Sequence, residues 1–138
     1  MRALPVIACA SLAILSGCAG SDFAINSDTP QQLTAENTNN LCMAIGAYPS
    51  NKLIAAELIR RGALRVQFID PVRQGQVALN MNACEVEAAV SKGVYVPKIS
   101  QTTVQGSIEA QWDYTDYSPG GRVLYVYFTN GIVTVIQE

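Results

Sequence analysis

The 138-residue sequence contains no histidine and few charged residues, with nine Lys and Arg against eleven Asp and Glu, for a net charge of -2. Without histidine the chain lacks an imidazole base, a Ser-His triad and the commonest zinc ligand. Without a basic run it is a poor nucleic-acid binder, because phosphate contacts need clustered positive charge. We therefore predict a protein that is not an enzyme and that binds no cofactor, metal or nucleic acid.

Residues 1–17 have the pattern of a secretory signal, with a positive Arg2 followed by a mostly apolar stretch from Ala3 to Leu15. This stretch is shorter than the about 20 apolar residues with which a helix crosses a bilayer. The letters L-S-G-C that end at Cys18 resemble the lipobox of bacterial lipoproteins, in which the cysteine is acylated and becomes the new N-terminus. We expect lipidation at Cys18, and ordinary signal cleavage nearby is the alternative.

The resemblance to lipoproteins also predicts a location. Two or more fatty chains hold a protein on a membrane firmly, at roughly 0.8 kcal/mol per buried methylene. In the lipoproteins of Gram-negative bacteria, an Asp directly after the acylated cysteine retains the protein at the inner membrane. Ala19 occupies that position here. The resemblance therefore implies an outer-membrane protein that is anchored by lipid and faces the periplasm.

The remaining cysteines predict one disulfide. Cys9 lies in the signal and Cys18 is expected to be acylated, which leaves Cys42 and Cys84 as a pair in an oxidising compartment. Closing a loop of this length corresponds to roughly 4 kcal/mol at most in the chain-entropy model. Two buried free thiols are the alternative, and a metal site would lack histidine partners.

The chain divides into a signal at 1–17, a flexible tether at 18–40 and a single domain at 41–138. The tether is predicted from polar residues without apolar periodicity. Within the domain, residues 41–47 favour a short helix, and Ser50 is the expected N-cap of a helix over 51–61.

A further helix is expected after the irregular segment 64–79. Asn82 and Glu85 have the spacing of a capping box, which predicts a helix that runs to about Lys92. Cys84 lies in the first turn of this helix, so the predicted disulfide would join it to the Cys42 segment.

The C-terminal part alternates with a period of two and predicts strands over 108–114, 123–129 and 132–137. Asn130-Gly131 between the last two is typical of a type I′ hairpin turn. We therefore predict an α+β fold, in which two to three N-terminal helices pack on a three-stranded antiparallel β-meander.

The two-residue turn predicts which side chains of the hairpin face the helices. The inward set is aliphatic and phenyl: Phe128 opposite Val133, and Val126 opposite Val135. Tyr125 and Tyr127 then lie on the open face, where tyrosines bury much area on binding at low entropic cost. They are the candidate protein-binding residues, and ordinary surface is the alternative.

Two other features have structural interpretations. Asp113 and Asp116 are the closest that the sequence comes to a catalytic carboxylate pair. Glycosidases hold such a pair across a cleft, and no cleft is indicated here. We therefore predict that both residues belong to a solvated loop. Trp112 alternates with polar neighbours and is predicted to be a core residue.

Three motifs resemble the SmpA/OmlA (BamE-like) family of small outer-membrane lipoproteins. The resembling segments are L-N-M-N-A-C-E-V at 79–86 (family I-G-M-S-x-x-x-V), Q-W-D-Y at 111–114 (Q-W-x-Y) and the hairpin at 125–134 (Y-x-x-F-x-N-G-x-V-T). The likeness covers about residues 76–138. It departs at Asn80, where the family usually has Gly, and the region 41–62 is not part of the family's assembly-machine subunit.

These observations predict a non-enzymatic outer-membrane lipoprotein that binds another outer-membrane or periplasmic protein in a structural or assembly role. The alternative is an inhibitor or ligand-binding module, because the helix-plus-meander unit also resembles the repeats of β-lactamase-inhibitor proteins. Those proteins block enzymes with a face of their sheet.

Overall fold

A computed structural model describes residues 25–90, 95–115 and 123–138. In these ranges the helices are α1 (Pro30–Ala35), α2 (Thr38–Ala47), α3 (Lys52–Arg60), α4 (Ile69–Gln74, after a 3-10 turn at Val66–Phe68) and α5 (Ala83–Val90). The strands are β1 (Lys98–Val104), β2 (Ser107–Asp113), β3 (Tyr125–Thr129) and β4 (Ile132–Gln137). They form one antiparallel sheet in the order β1-β2-β3-β4, so the α+β class is as predicted but the meander has four strands.

The N-terminal part of the domain is longer than predicted. Thr29 caps α1 in a capping box with Gln32, and the side chains of Ile25 and Leu33 are buried in the core. The prediction of a flexible tether over 18–40 is therefore wrong for residues 25–40, and its first part lies outside the described residues. The apolar residues of this segment are too widely spaced to produce a helical period.

The α3 helix is capped one residue later than predicted. Asn51, and not Ser50, is the N-cap, because its Oδ1 accepts the N–H groups of Leu53 and Ile54 at 3.0 and 3.1 Å. The helix ends as predicted before Gly62, whose φ of 71° is the left-handed conformation that favours glycine at a helix end.

The capping box of α5 is confirmed. Asn82 Oδ1 accepts the N–H of Glu85, and Glu85 Oε2 accepts the N–H of Asn82, at 2.9 and 2.8 Å. The segment that leads into this helix also joins the sheet, since Val133 in β4 exchanges backbone hydrogen bonds with Asn80 and Met81. The start of α5 is thereby fixed against β4. The predicted end of this helix near Lys92 lies outside the described residues.

The first strand of the sheet was not predicted. All seven residues of β1 are exposed, so the strand has no buried face and no apolar alternation. A turn at Gln105-Gly106, with φ of 50° and 85°, joins it to β2. Positive φ at both residues is typical of the type I′ hairpin turn. In the sequence, the glycine at the second turn position is the feature that indicates a hairpin here.

The closing hairpin follows the prediction at its turn and departs from it four residues later. Asn130 and Gly131 both have positive φ, and Phe128 pairs with Val133 as predicted. The register then shifts, so that Val126 pairs with Ile136 rather than with Val135. A β-bulge, in which Thr134 is the extra residue, causes this shift. As a result, Val135 leaves the core side and is 52% exposed.

The core lies between the helices and the β3–β4 half of the sheet. Inner-face residues are buried on these two strands (Val126, Phe128 and Val133), whereas no residue of β1 is buried. The helices contribute the larger share of the core: Leu33, Leu41, Cys42, Ala44, Ile45, Ile54, Leu58, Val72, Val86, Ala88 and Ala89. The helices therefore cover the inner face of the sheet at β3 and β4 and leave it increasingly exposed toward β1.

Candidate protein-binding surface

The outer face of β3 and β4 carries the two tyrosines. Tyr125 and Tyr127 are half-buried, whereas their neighbours Val126 and Phe128 point to the other face and are buried. Tyr127 pairs directly with Val135, and its Oη donates to Gln137 Oε1 at 3.2 Å. The face on which the tyrosines lie is thus as predicted. We call Tyr125, Tyr127 and Val135 the tyrosine face.

A shallow groove runs beside the tyrosine face toward β1. It has a volume of about 280 Å³, and Tyr127, Glu109 and Gln111 line it together with the hydroxyls of β1. Glu109 Oε2 accepts a hydrogen bond from Thr129 Oγ1 at 2.8 Å, so the carboxylate is held in place. The outer face therefore combines aromatic area with fixed hydrogen-bonding groups, which suits a protein or peptide partner.

The inner face has a second groove of about 440 Å³ between α5 and the uncovered strands. Trp112 lies in it and packs on Phe128, with ring centroids 4.7 Å apart. The indole is half-buried, because it packs on Phe128 but also lines the groove. The prediction of a core residue is therefore only partly correct. Ile108 lies beside it and is exposed. The sequence did not reveal this groove because β1 was not predicted.

The disulfide joins Cys42 in α2 to Cys84 in α5 across a Cα–Cα distance of 5.3 Å. This distance is within the usual range for a disulfide. The bond links the helical layer to the helix that starts against β4. Cys18, the predicted lipidation site, lies outside the described residues.

A buried ion pair supports the start of α5. The Glu85 side chain is fully buried, and Arg65 Nη2 lies 2.6 Å from its Oε2. Arg65 also lies over the ring of Phe68 at 4.6 Å and donates a hydrogen bond to the Asn80 carbonyl. The hydrogen bond to Glu85 raises the pKa of Arg65. All these partners belong to the fold, so the pair is structural.

The two arginines that end α3 are also structural. Hydrogen bonds from Arg60 and Arg61 lower the pKa of Glu57 to about 2. Arg61 in addition donates to the carbonyl oxygens of Leu33 and Glu36, both at 2.8 Å. Its guanidinium therefore ties α1 to α3.

Asp113, the acid that we predicted to be solvated, lies at the end of β2 and is hydrogen-bonded to a residue that follows the strand. Asp113 accepts hydrogen bonds from the side chain and the backbone N–H of Thr115, which lower its pKa. Asp116 lies outside the described residues. Over residues 25–90, 95–115 and 123–138, no three His, Cys, Asp or Glu side chains are grouped so that they could bind a metal ion.

Comparison with known proteins gave no match, since no family model, curated protein or solved structure is significantly similar to this chain. None of the helices in the described ranges is both long and apolar enough to span a bilayer.

Proposed function

We propose that this chain is a lipid-anchored protein of the bacterial outer membrane, and that its domain binds another envelope protein through the tyrosine face. The observation that carries the proposal is the composition of this face. Two half-buried tyrosines lie beside a valine that is 52% exposed, on strands whose other face is buried. Aromatic residues with adjacent apolar area are enriched at the centres of protein interfaces.

The bulge in β4 supports this choice of face. In a regular hairpin Val135 would face the core, opposite Val126, and the outer face would present Thr134 in its place. The shift in register instead places Val135 directly across from Tyr127. Bulges often redirect a side chain at functional surfaces, and this one enlarges the apolar area of the tyrosine face.

The folded N-terminal segment supports a partner close to the membrane. Ile25 is buried in the core, and a chain that leads back to Cys18 has seven residues at most to reach the lipid. Seven extended residues span about 25 Å. A domain anchored at Cys18 is thus held near the bilayer surface, where membrane-embedded and lipid-anchored partners are found.

The local geometry also supports the resemblance to the SmpA/OmlA family. Asn80 stands where the family usually has Gly, and its φ of 68° is a conformation that Gly adopts freely and Asn tolerates best among the other residues. We propose a non-enzymatic role within this resemblance, in keeping with a sequence that has no histidine.

The test replaces both tyrosines of the face with alanine. We expect Tyr125→Ala/Tyr127→Ala to lose most of the partner that the wild-type protein retains when it is cross-linked in cells and purified from membranes. Val66→Ala is the matched control, because Val66 is 69% exposed and lies in the 3-10 turn before α4, outside the strands of the sheet. Circular dichroism and the Tm verify that the double variant is folded.

Equal recovery of the partner by the folded double variant and by the wild type would exclude the tyrosine face as the docking site. Loss of the partner in the Val66→Ala variant as well would show that the effect is not specific to this face.

A further inference from the structure

Strand β1 forms an edge of the sheet that the described residues leave open. It pairs with β2 on one side, and all seven of its residues are exposed. Natural edge strands are usually protected by central charges, proline or a bulge. Here the single charge is at Lys98, the strand has no proline, and its register with β2 is unbroken.

The backbone groups that point out of this edge can be assigned. Both backbone groups of Ile108 bond to Asn130: the N–H donates to Oδ1 at 2.9 Å and the carbonyl accepts the Asn130 N–H at 2.7 Å. Thr103, which stands opposite Ile108, is therefore not bonded to it. Because bonded and non-bonded pairs alternate in an antiparallel ladder, the N–H and C=O groups of Ile99, Gln101 and Thr103 point away from β2.

We propose that β1 pairs with β1 of a second copy of this chain, antiparallel and about a two-fold axis at Gln101. In this register the outward N–H and C=O groups of the two copies meet. Gln101 faces Gln101 of the other copy, and Ile99 faces Thr103 of the other copy. The two copies then form one eight-stranded sheet.

The charges and the exposed apolar residues of β1 favour a second copy in this register. Each Lys98 falls opposite Val104 of the other copy, so no like charges are brought together. Ile99 and Val104, which are 55% and 51% exposed, become partly covered. A pair of seven-residue strands buries less than the roughly 1,600 Å² of a standard interface, so the dimer is expected to be reversible.

Register-specific cross-linking tests the pairing independently of the lipid anchor and of the tyrosine face. The full chain with Cys9→Ser and Cys18→Ser receives one new cysteine at a time, at Ile99, Gln101 or Thr103. Mild oxidation is expected to produce a disulfide dimer with Gln101→Cys, because this residue meets its own copy on the axis. Ile99→Cys and Thr103→Cys are the matched controls, since each lies about 14 Å from its own copy, and they should cross-link only when mixed.

A proline variant provides a second readout. Gln101→Pro removes an outward N–H without removing a hydrogen bond to β2, and proline is tolerated on an edge strand. We expect this variant to abolish the mixed cross-link between Ile99→Cys and Thr103→Cys, and Gln101→Thr to retain it.

Three results would overturn the proposal. The first is the absence of a cross-link at Gln101→Cys at millimolar protein concentration, and the second is equal cross-linking at all three positions, which indicates random collision. The third is that Gln101→Cys, when mixed with envelope membranes, cross-links to a different protein in place of itself, which would assign the edge to a foreign strand.

Discussion

Asn80 shows how one residue fixes the junction between the helices and the sheet. Its left-handed backbone, with φ of 68°, turns the chain so that its N–H reaches the Val133 carbonyl at 2.9 Å. Its own carbonyl accepts a hydrogen bond from Arg65, the ion-pair partner of the buried Glu85. The sequence motif around Asn80 predicted the helix start, whereas the role of Arg65 depends on a contact between residues that are distant in sequence.

Glu57 predicts how stability depends on pH. Its pKa is lowered from 4.5 to about 2 by hydrogen bonds from Arg60 and Arg61. A carboxyl group with a lowered folded-state pKa stabilises the fold fully above its unfolded pKa, and this contribution is lost as the pH falls from 4.5 toward 2. We expect the urea midpoint of the wild type to fall over that range, and the midpoint of Glu57→Gln to be lower at pH 7 and to change less with acid.

The control for Glu57 is Glu138→Gln, at the exposed end of the chain, which should retain the acid dependence of the wild type. Identical pH profiles for Glu57→Gln and the wild type would show that the arginines do not stabilise the ionised carboxylate.

At the scale of elements, the sequence predicted those structures whose determinants are local. The capping box of Asn82 and Glu85 and the turn at Asn130-Gly131 depend on neighbouring residues, and both are present. Strand β1 was missed because an edge strand with no buried face has no apolar period. The bulge at Thr134 was missed because a regular register was assumed, although the position of Val135 on the outer face depends on it.

The disulfide between α2 and α5 predicts a loss of stability on reduction. It closes a loop with a sequence separation of 42 residues, for which the chain-entropy model gives about 4 kcal/mol as an upper value. We expect dithiothreitol to lower the free energy of unfolding in urea by up to this amount. Cys42→Ala/Cys84→Ala is the control, because reduction should not destabilise it further. An unchanged urea midpoint for the reduced wild type would contradict the prediction.

At the scale of the whole molecule, the covered and the open surfaces are separate. The helices cover the inner face of β3 and β4, where the buried side chains lie. The tyrosine face is on the opposite side of the same strands, and the open edge is at β1, two strands away. Binding of a partner to the tyrosine face and pairing of two copies at β1 therefore use different parts of the sheet and are compatible with each other.

The proposed anchor determines where this domain works, and it is tested on the whole protein. We expect labelled palmitate to enter the wild type, which should sediment with the outer membrane, and not to enter Cys18→Ser, which should remain soluble or unprocessed. Cys9→Ser is the matched control, since Cys9 precedes the proposed cleavage site and its loss should change neither labelling nor fractionation. Because at most about 25 Å of chain separates Cys18 from the buried Ile25, the partner should also be lost from Cys18→Ser even though its tyrosine face is intact. Fractionation of Cys18→Ser with the outer membrane, like the wild type, would mean that something other than lipid holds the domain there.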